Sequence, residues 1–440
     1  MSTAYQNLTP AQLREEYAAV KAQFDALKAK ELKLNMARGK PGREQLDLVS
    51  DILSILKTPE DCISGGVDAR NYGELSGLRE AKEYWADVLG CKPEECFIGG
   101  NASLTLMYDL VSKGYTHGLA RSEKPWCRLD TVKWLCPAPG YDRHFKITES
   151  FGFELITIPM TPTGPDMDKV EEAVKDPAVK GMWCVPKYSN PDGIIYSDET
   201  IARIAALKPA APDFALMWDN AYCIHEFEGE YVEFPDILSL CREAGNDGMV
   251  YEFASTSKVT LPGAGFSVMA TSEDNQAYLQ KLIGIQTISY DKVNSLRHVR
   301  FLKDKAHTLE LMKKHAAILN PKFQCVLRHL DTEIAPLGIA SWQRPKGGYF
   351  VSVNTAPGLA KRTLALCKEA GVVMTGAGAT FPYGRDPQDS NIRIAPSFAS
   401  AEEIEPAARL FTICVRLATL EKLAATRFAS ETALGAERIA

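Results

Sequence analysis

Apolar side chains at Leu13, Tyr17, Val20, Phe24 and Leu27 recur at steps of three and four residues. That spacing lines one face of a helix. Thr9-Pro10 just before them supplies a capping hydroxyl and a proline at the first helical position, so the pattern predicts a helix ending near Lys30. A Gly/Pro-punctuated crossing segment comes next, from Leu34 to Gly42, then a helical stretch through Leu46 to Leu56. From Phe97 to about Ala270 the texture changes. Short β-rich runs at 131–135, 153–158, 180–185, 214–218, 249–254 and 266–270 alternate with helical stretches at 103–113, 142–151, 166–175, 198–207 and 235–244. Alternation of this kind predicts an α/β fold, a mostly parallel sheet with helices on both faces. Beyond Asp291 the chain reads as helix to about Ile318. It then reads as α+β: a helix at 322–330, strands around 349–353, 372–374 and 391–395, and a helix at 401–420. The expected organisation is an N-terminal helix and crossing segment (1–45), a large α/β domain (46–318) and a smaller α+β domain (319–440) that the N-terminal segment joins. The Ala-rich tail after Ala424 reads as helical or frayed.

Composition narrows the function classes. Lys and Arg number 50 against 56 Asp and Glu, a net charge of −6. Such a chain has no basic excess to grip a nucleic-acid backbone. Apolar residues make up 45% and charged residues 24%, the proportions of a globular protein able to bury its core without disulfide or metal staples. No apolar run approaches the roughly 18 residues that cross a bilayer. The polar start, Met1 to Leu8, has no signal-peptide core, so a cytoplasmic protein is expected. The 11 cysteines form no Cys-x-x-Cys pair, which suits free thiols in a reducing compartment. The seven histidines show neither His-x-x-x-His nor His-Glu-x-x-His spacing, and no metal centre is expected from them.

In an open α/β sheet ligands sit at the carboxyl ends of the strands, so the residues just past each strand are the place to look. Four ends carry polar clusters. They are Pro186-Lys187-Tyr188-Ser189-Asn190-Pro191-Asp192-Gly193, Asp219-Asn220-Ala221-Tyr222, Ser255-Thr256-Ser257-Lys258, and Gly99-Gly100-Asn101-Ala102-Ser103 at the start of a helix. Singly they are ordinary: a turn, a loop carboxylate, a solvated lysine, a helix N-terminus. Together they place an amine, a carboxylate, a phenol, an amide and a hydroxyl-rich helix start at one end of one sheet. That inventory is what pyridoxal 5′-phosphate requires. The amine bonds its aldehyde, and the carboxylate keeps the pyridine nitrogen protonated so that the ring withdraws electrons. The phenol and amide hydrogen-bond the ring oxygen, and the helix start with Ser255 and Ser257 offers donors to the phosphate. The lysine acts only as a neutral amine, so its surroundings must lower its pKa.

From about Leu34 to about Phe398 the chain resembles the fold-type I pyridoxal-phosphate enzymes, specifically the aspartate aminotransferase superfamily, with the motifs in family order. Ser255-Thr256-Ser257-Lys258 resembles the cofactor-lysine motif, Asn190-Pro191-x-Gly193 the turn whose Asn touches the ring oxygen, and Asp219-x-x-Tyr222 the paired Asp and Tyr. The resemblance implies that Lys258, Asp219 and Tyr222 are catalytic. It implies that Ala102 and Ser103 bind the phosphate, that Tyr141 stacks on the ring, and that Tyr72 reaches the phosphate of a neighbouring subunit in a homodimer with shared active sites. Arg393, with Gly39 and Asn190, is implied to grip the substrate α-carboxylate, for which a guanidinium fork is suited. A seven-stranded-type sheet is also implied. One departure from the family pattern is the absence of a basic residue shortly after Lys258, where Val259 to Phe266 runs Val-Thr-Leu-Pro-Gly-Ala-Gly-Phe. Phosphate binding then rests on hydroxyls, backbone N–H groups and Tyr72, or on a cation from elsewhere. This Gly-rich stretch points to a divergent bacterial-type subgroup.

The expected reaction is reversible ping-pong transamination between aspartate, or glutamate, and a 2-oxo acid, with Lys258 moving the Cα proton. A side-chain carboxylate needs a second cation, for which Arg38, Lys40, Arg297 and Arg300 are candidates. An alanine or broad-range aminotransferase and a non-catalytic amino-acid sensor are the alternatives, although the single helix before Leu34 is too short for a DNA-binding domain. Ser255-x-x-Lys258 and Tyr188-x-Asn190 also match motifs of serine penicillin-binding enzymes, but in reversed order and with no Lys-Thr-Gly after them.

Overall fold

Thr9 closes the start of the first helix, α1 (Pro10–Lys28), by a reciprocal capping box. Its hydroxyl accepts from the Gln12 N–H at 3.3 Å and its own N–H donates to the Gln12 side chain at 2.9 Å. Leu13, Val20, Phe24 and Leu27 are buried, as their spacing predicts. The computed structural model describes residues 4–437, with the backbone alone beyond Arg427. The first three residues of the polar start and the last three of the Ala-rich tail lie outside the described residues.

The main sheet has eight strands: β1 (Cys96–Ile98), β2 (Lys133–Ala138), β3 (Glu154–Thr161), β4 (Gly164–Pro165), β5 (Val179–Cys184), β6 (Ala215–Asp219), β7 (Val250–Ser255) and β8 (Ser267–Thr271). Their order across the sheet is β1-β8-β7-β6-β5-β2-β3-β4. Strands β3, β2, β5, β6 and β7 run parallel, β8 lies antiparallel between β7 and β1, and the two-residue β4 pairs antiparallel with β3 as an eighth edge beyond the implied seven. Alternate residues enter different cores. Leu135, Met182, Leu216 and Trp218 pack into one face, Trp134, Trp183, Met217 and Phe253 into the other. With both faces covered, the parallel β5 and β6 and the antiparallel β8 are all buried along their whole length, as expected for strands between two helical layers. Because such runs carry no polar alternation, their ends are poorly marked. The strand expected at 131–135 in fact starts at Lys133 and extends to Ala138.

The helical stretch expected through 46–56 is instead a short helix, Arg43–Asp47, and a separate 3-10 turn, Ser50–Ser54, parted by Val49 in a non-helical conformation. After Asp291 come α4 (Lys292–Leu302) and α5 (Lys305–His329), parted by Lys303 at φ 63°. The sequence predicts a break near Pro321, and this is corrected: α5 runs unbroken through it. An interior proline costs about 3 kcal/mol. Here Leu311, Met312, Leu319, Phe323, Val326 and Leu327 bury the helix on both sides of it.

The terminal parts of the chain share a third core. Strands β9 (Ala340–Trp342), β10 (Val351–Thr355) and β11 (Asn391–Ile394) form an antiparallel sheet, backed by α5 and the long final helix α6 (Ala401–Glu437). Tyr5, the apolar face of α1 and Met36 enter the same core. The crossing segment is stitched in by the parallel pairing of Leu34–Asn35 with Val372–Val373 and by an Ala395 N–H that donates to the Met36 carbonyl at 3.1 Å. The carboxyl ends of the parallel strands thus face residues from both termini. All eleven cysteines are free thiols, and among the described residues no helix is long and apolar enough to cross a membrane.

Candidate active site

Between the strand ends and the terminal region lies a cavity of about 220 Å³ lined by Gly39, Ala102, Ser103, Tyr141, Asn190, Asp219, Tyr222, Ser255, Ser257, Lys258 and Phe350, among others. Chain segments more than three hundred residues apart meet here because every one of them either comes just after a strand of the main sheet or is carried in from the terminal core.

Strand β6 ends on Asp219, which is buried. His144 Nε2–H donates to its Oδ2 at 2.9 Å, and the His144 ring is itself fixed by stacking on Trp183, centroids 4.4 Å apart and planes 10° apart. Oδ1 of Asp219 is buried with no partner. A carboxylate with one oxygen fixed and the other unmet inside a cavity is built to receive an N–H from a bound group.

Strand β7 runs into a one-turn 3-10 helix, Thr256–Lys258, that delivers the lysine to the cavity. Its Nζ stands 4.8 Å from the centre of the Tyr222 ring. The side chain opens only onto the cavity, and this desolvation lowers its pKa below the usual lysine value, with the Asp219 charge opposing the shift. Tyr349 donates to the Lys258 carbonyl at 3.3 Å and steadies the turn. His225, buried against Tyr222 and Tyr349, has no partner on either ring nitrogen. Burial, and secondarily the Lys258 charge, push its pKa well down, and it packs behind Tyr222 and Tyr349 without lining the cavity.

The turn at Asn190 is closed by Gly193 N–H on the Ser189 carbonyl at 2.6 Å and by Ser189 N–H on the Ile194 carbonyl at 2.9 Å. Gly193 sits at φ +68°, and a Cβ there would lie 2.5 Å from Pro345, so both backbone and space require glycine. Gly39 is equally close-packed: its Cβ would fall 2.5 Å from the Phe350 ring.

Arg393 does not line the cavity directly but is joined to it through Asn190. Its Nη1 donates to Asn190 Oδ1 at 3.2 Å and to Asp142 Oδ1 at 2.8 Å, Nη2 reaches the Thr375 hydroxyl at 3.4 Å, and the guanidinium carbon lies 4.8 Å from the centre of the Phe350 ring. Nε is buried with no partner.

Ala102 caps α2 (Ser103–Thr116) without a side-chain hydrogen bond; Thr105 N–H donates to the Ala102 carbonyl at 3.2 Å, and the Ser103 and Leu104 N–H groups ahead of it are placed for an anion. Ser255 donates to Ser257 at 3.0 Å, and Ser257 to the Asn101 carbonyl at 3.5 Å. No cation stands shortly after Lys258: Phe266 is buried beside Tyr84 and Trp85.

Two sets of expected residues stand elsewhere. Tyr72 is 79% exposed and outside this cavity. None of Arg38, Lys40, Arg297 and Arg300 lines the cavity either. Lys40 lies over the Phe398 ring at 3.9 Å, Arg300 pairs with Glu80 at 3.1 Å, and Arg297 lines a separate cavity with Gly100, Asn101 and Gly263. Sequence reasoning missed His144, Asp142, Phe350 and His225. A signal existed for His144: it stands three residues after Tyr141, in the first turn of a helix, α3 (Asp142–Ser150), that opens at a strand end.

The family model described as "Aspartate amino-transferase" matches residues 8–427. An aspartate aminotransferase of Corynebacterium glutamicum is 46% identical over 405 residues, 92% of this chain and 94% of the relative. The crystal structure of an aspartate transaminase from that organism superposes with a TM-score of 0.93 at 45% identity, over 96% of this chain and 100% of the other. An α-aminoadipate aminotransferase from Thermus thermophilus, solved with N-(5′-phosphopyridoxyl)-L-leucine, gives a TM-score of 0.71 at 22% identity, over 93% and 98% of the two chains, and so shares the fold.

Proposed function

Because the chain belongs to the aspartate aminotransferase family, we propose that it is a pyridoxal-phosphate-dependent enzyme that moves an amino group between aspartate, or glutamate, and a 2-oxo acid by a ping-pong mechanism. The observation that carries this reading is the partnerless buried Oδ1 of Asp219 in the same cavity as a lysine whose pKa burial has lowered. These residues fit the cofactor, which when bound supplies a protonated pyridine ring able to draw electrons from the substrate Cα.

The chain's own residues do the rest. Asp219, oriented by His144, holds the pyridine nitrogen protonated. Lys258 would hold the cofactor through its amine, and its Nζ would take the Cα proton and return it. Asn190 and Tyr222 hold the ring oxygen, and Tyr141 backs the ring. The N–H groups of the α2 start and the hydroxyls of Ser103, Ser255 and Ser257 would hold the phosphate, with Tyr72 donated by a second copy in a cytoplasmic homodimer. Arg393, with Gly39 beside it, takes the substrate α-carboxylate, for which its unmet Nε is available.

The likeness to an aspartate aminotransferase supports aspartate as donor, and 2-oxoglutarate is the acceptor proposed with it. One observation favours the second reading, an alanine or broad-range enzyme: none of the four candidate cations lines the cavity. Initial rates at several fixed acceptor concentrations test the mechanism, with parallel double-reciprocal lines expected and intersecting lines contradicting it. Catalytic efficiency on aspartate, glutamate and alanine then decides the substrate: aspartate ahead supports the first reading, alanine ahead the second.

A further inference from the structure

The far half of α5 carries a cluster that the proposed reaction does not use. Cys325 and His329 stand four residues apart on one face of α5, each 8% exposed, and Glu405 reaches them from α6. The Cys325 thiol donates to Glu405 Oε2 at 3.0 Å, and His329 Nε2 lies 2.8 Å from Oε1. One ligand atom of each residue lies within 4.8 Å of the other two. On the other side of the ring, Nδ1 lies 2.6 Å from Glu333 Oε1, and the second oxygen of Glu333 accepts from Thr412 at 2.6 Å.

Two carboxylates flank the imidazole, one at each ring nitrogen, and a ring with a single N–H donates to only one of them. A cation on Nε2, in place of a second proton there, meets both, since the N–H then stays on Nδ1 and donates to Glu333. A metal-bound histidine oriented by a carboxylate in this way is the usual support for such a ligand. Sulfur, imidazole nitrogen and carboxylate oxygen are a donor set for a borderline-soft divalent ion in tetrahedral geometry, with solvent as the fourth ligand.

We propose that Cys325, His329 and Glu405 bind a divalent cation of the Zn²⁺ class, with Glu333 as the positioning residue for His329. Binding breaks the Cys325 S–H bond, forms the metal–sulfur bond and releases the proton to solvent, with no change of oxidation state. The guanidinium of Arg328 pairs with Glu405 Oε2 at 2.8 Å and lies 3.7 Å from the Cys325 sulfur; its side chain is 62% exposed, and the ion takes the place of both contacts. The ion clamps α5 to α6. His-x-x-x-His spacing does not mark the site because one of its two helical ligands is a cysteine.

The cofactor-loaded enzyme, first dialysed against a chelator, is titrated with Co²⁺ and separately with Zn²⁺. The expected result is one equivalent per chain. The cobalt form should show the visible bands of a tetrahedral site, and the zinc form an X-ray absorption spectrum with a sulfur neighbour at about 2.3 Å. Cys325→Ser removes the sulfur neighbour. Glu333→Gln keeps the ligand set but weakens binding by about 10–100-fold. Circular dichroism and thermal midpoints of the metal-free variants, matching the wild type, separate lost binding from lost fold. Failure of wild-type enzyme to bind one equivalent overturns the assignment. So does binding whose spectrum and affinity are unchanged by both Cys325→Ser and His329→Gln.

Discussion

Two lysines follow strands of the same sheet, and they differ in what surrounds the nitrogen. Lys187, a few residues beyond β5, is fully buried. Its Nζ pairs with Glu226 at 2.6 Å, donates to the carbonyls of Cys223 and Val232 at 2.8 and 2.7 Å, and stands 4.3 Å from the centre of the Tyr231 ring. Lys258, just beyond β7, has the Tyr222 ring at 4.8 Å and no hydrogen bond to its Nζ among the described residues. Burial lowers the pKa of both, but Glu226 opposes it at Lys187 through direct contact. The first amine is fixed as structure. The second is desolvated without being satisfied, which is the condition for a nucleophile and proton carrier. Burial alone therefore does not mark a reactive lysine; unmet hydrogen-bonding capacity within a cavity does.

The widest separation between the two is expected from deletion. Lys258→Ala should lower turnover at least about 10²–10⁴-fold, the range for a lost acid–base group, while the urea midpoint stays near that of the wild type. Lys187→Met should do the reverse. It strands Glu226 in the interior, and breaking one side of a buried pair costs about 3–5 kcal/mol, read as a fall in the urea midpoint with turnover per folded molecule retained.

A smaller effect is expected at the anchor for the substrate carboxylate. Asp142 occupies Nη1 of Arg393, and its side chain is 30% exposed. As a negative charge competing for the guanidinium it opposes substrate binding. Asp142→Asn should lower KM for amino and oxo acids alike by about two- to fivefold, the scale of a partly exposed ion pair, with kcat unchanged.

The gentlest test uses a third buried group on the same sheet. Glu252 on β7 accepts from Asn220 at 2.9 Å, its other oxygen is unmet, and burial pushes its pKa up to about 8. Between its ordinary value of 4.5 and that value the folded chain holds a proton that the unfolded chain has lost. Stability should therefore fall as pH rises through this window, by at most about 1.4 kcal/mol per pH unit. Glu252→Gln should flatten that part of the profile, measured by urea unfolding at stepped pH.

Much of this was legible in the chain itself. The strands are short apolar runs with polar tips, and because parallel strands point one way their tips converge, so Asp219, Asn190, Ser255 and Lys258 can be gathered on paper. What stayed hidden depends on contacts between segments with no shared pattern. His144 holds Asp219 only because Trp183, on a different strand, fixes its ring. Asp142 meets Arg393 across 251 residues and Glu405 meets Cys325 across 80. Pro321 reads locally as a break, yet burial on both sides carries α5 through it. Nor does sequence separate Lys187 from Lys258, since Glu226 is brought to the former only by the fold.

The most direct measurement is borohydride reduction of the purified enzyme loaded with pyridoxal phosphate, with peptide mapping of the product. A reduced cofactor label on Lys258, with the long-wavelength absorption of the loaded protein abolished, is the predicted result. A label on Lys187 or any other lysine, or no stoichiometric label at all, contradicts the account.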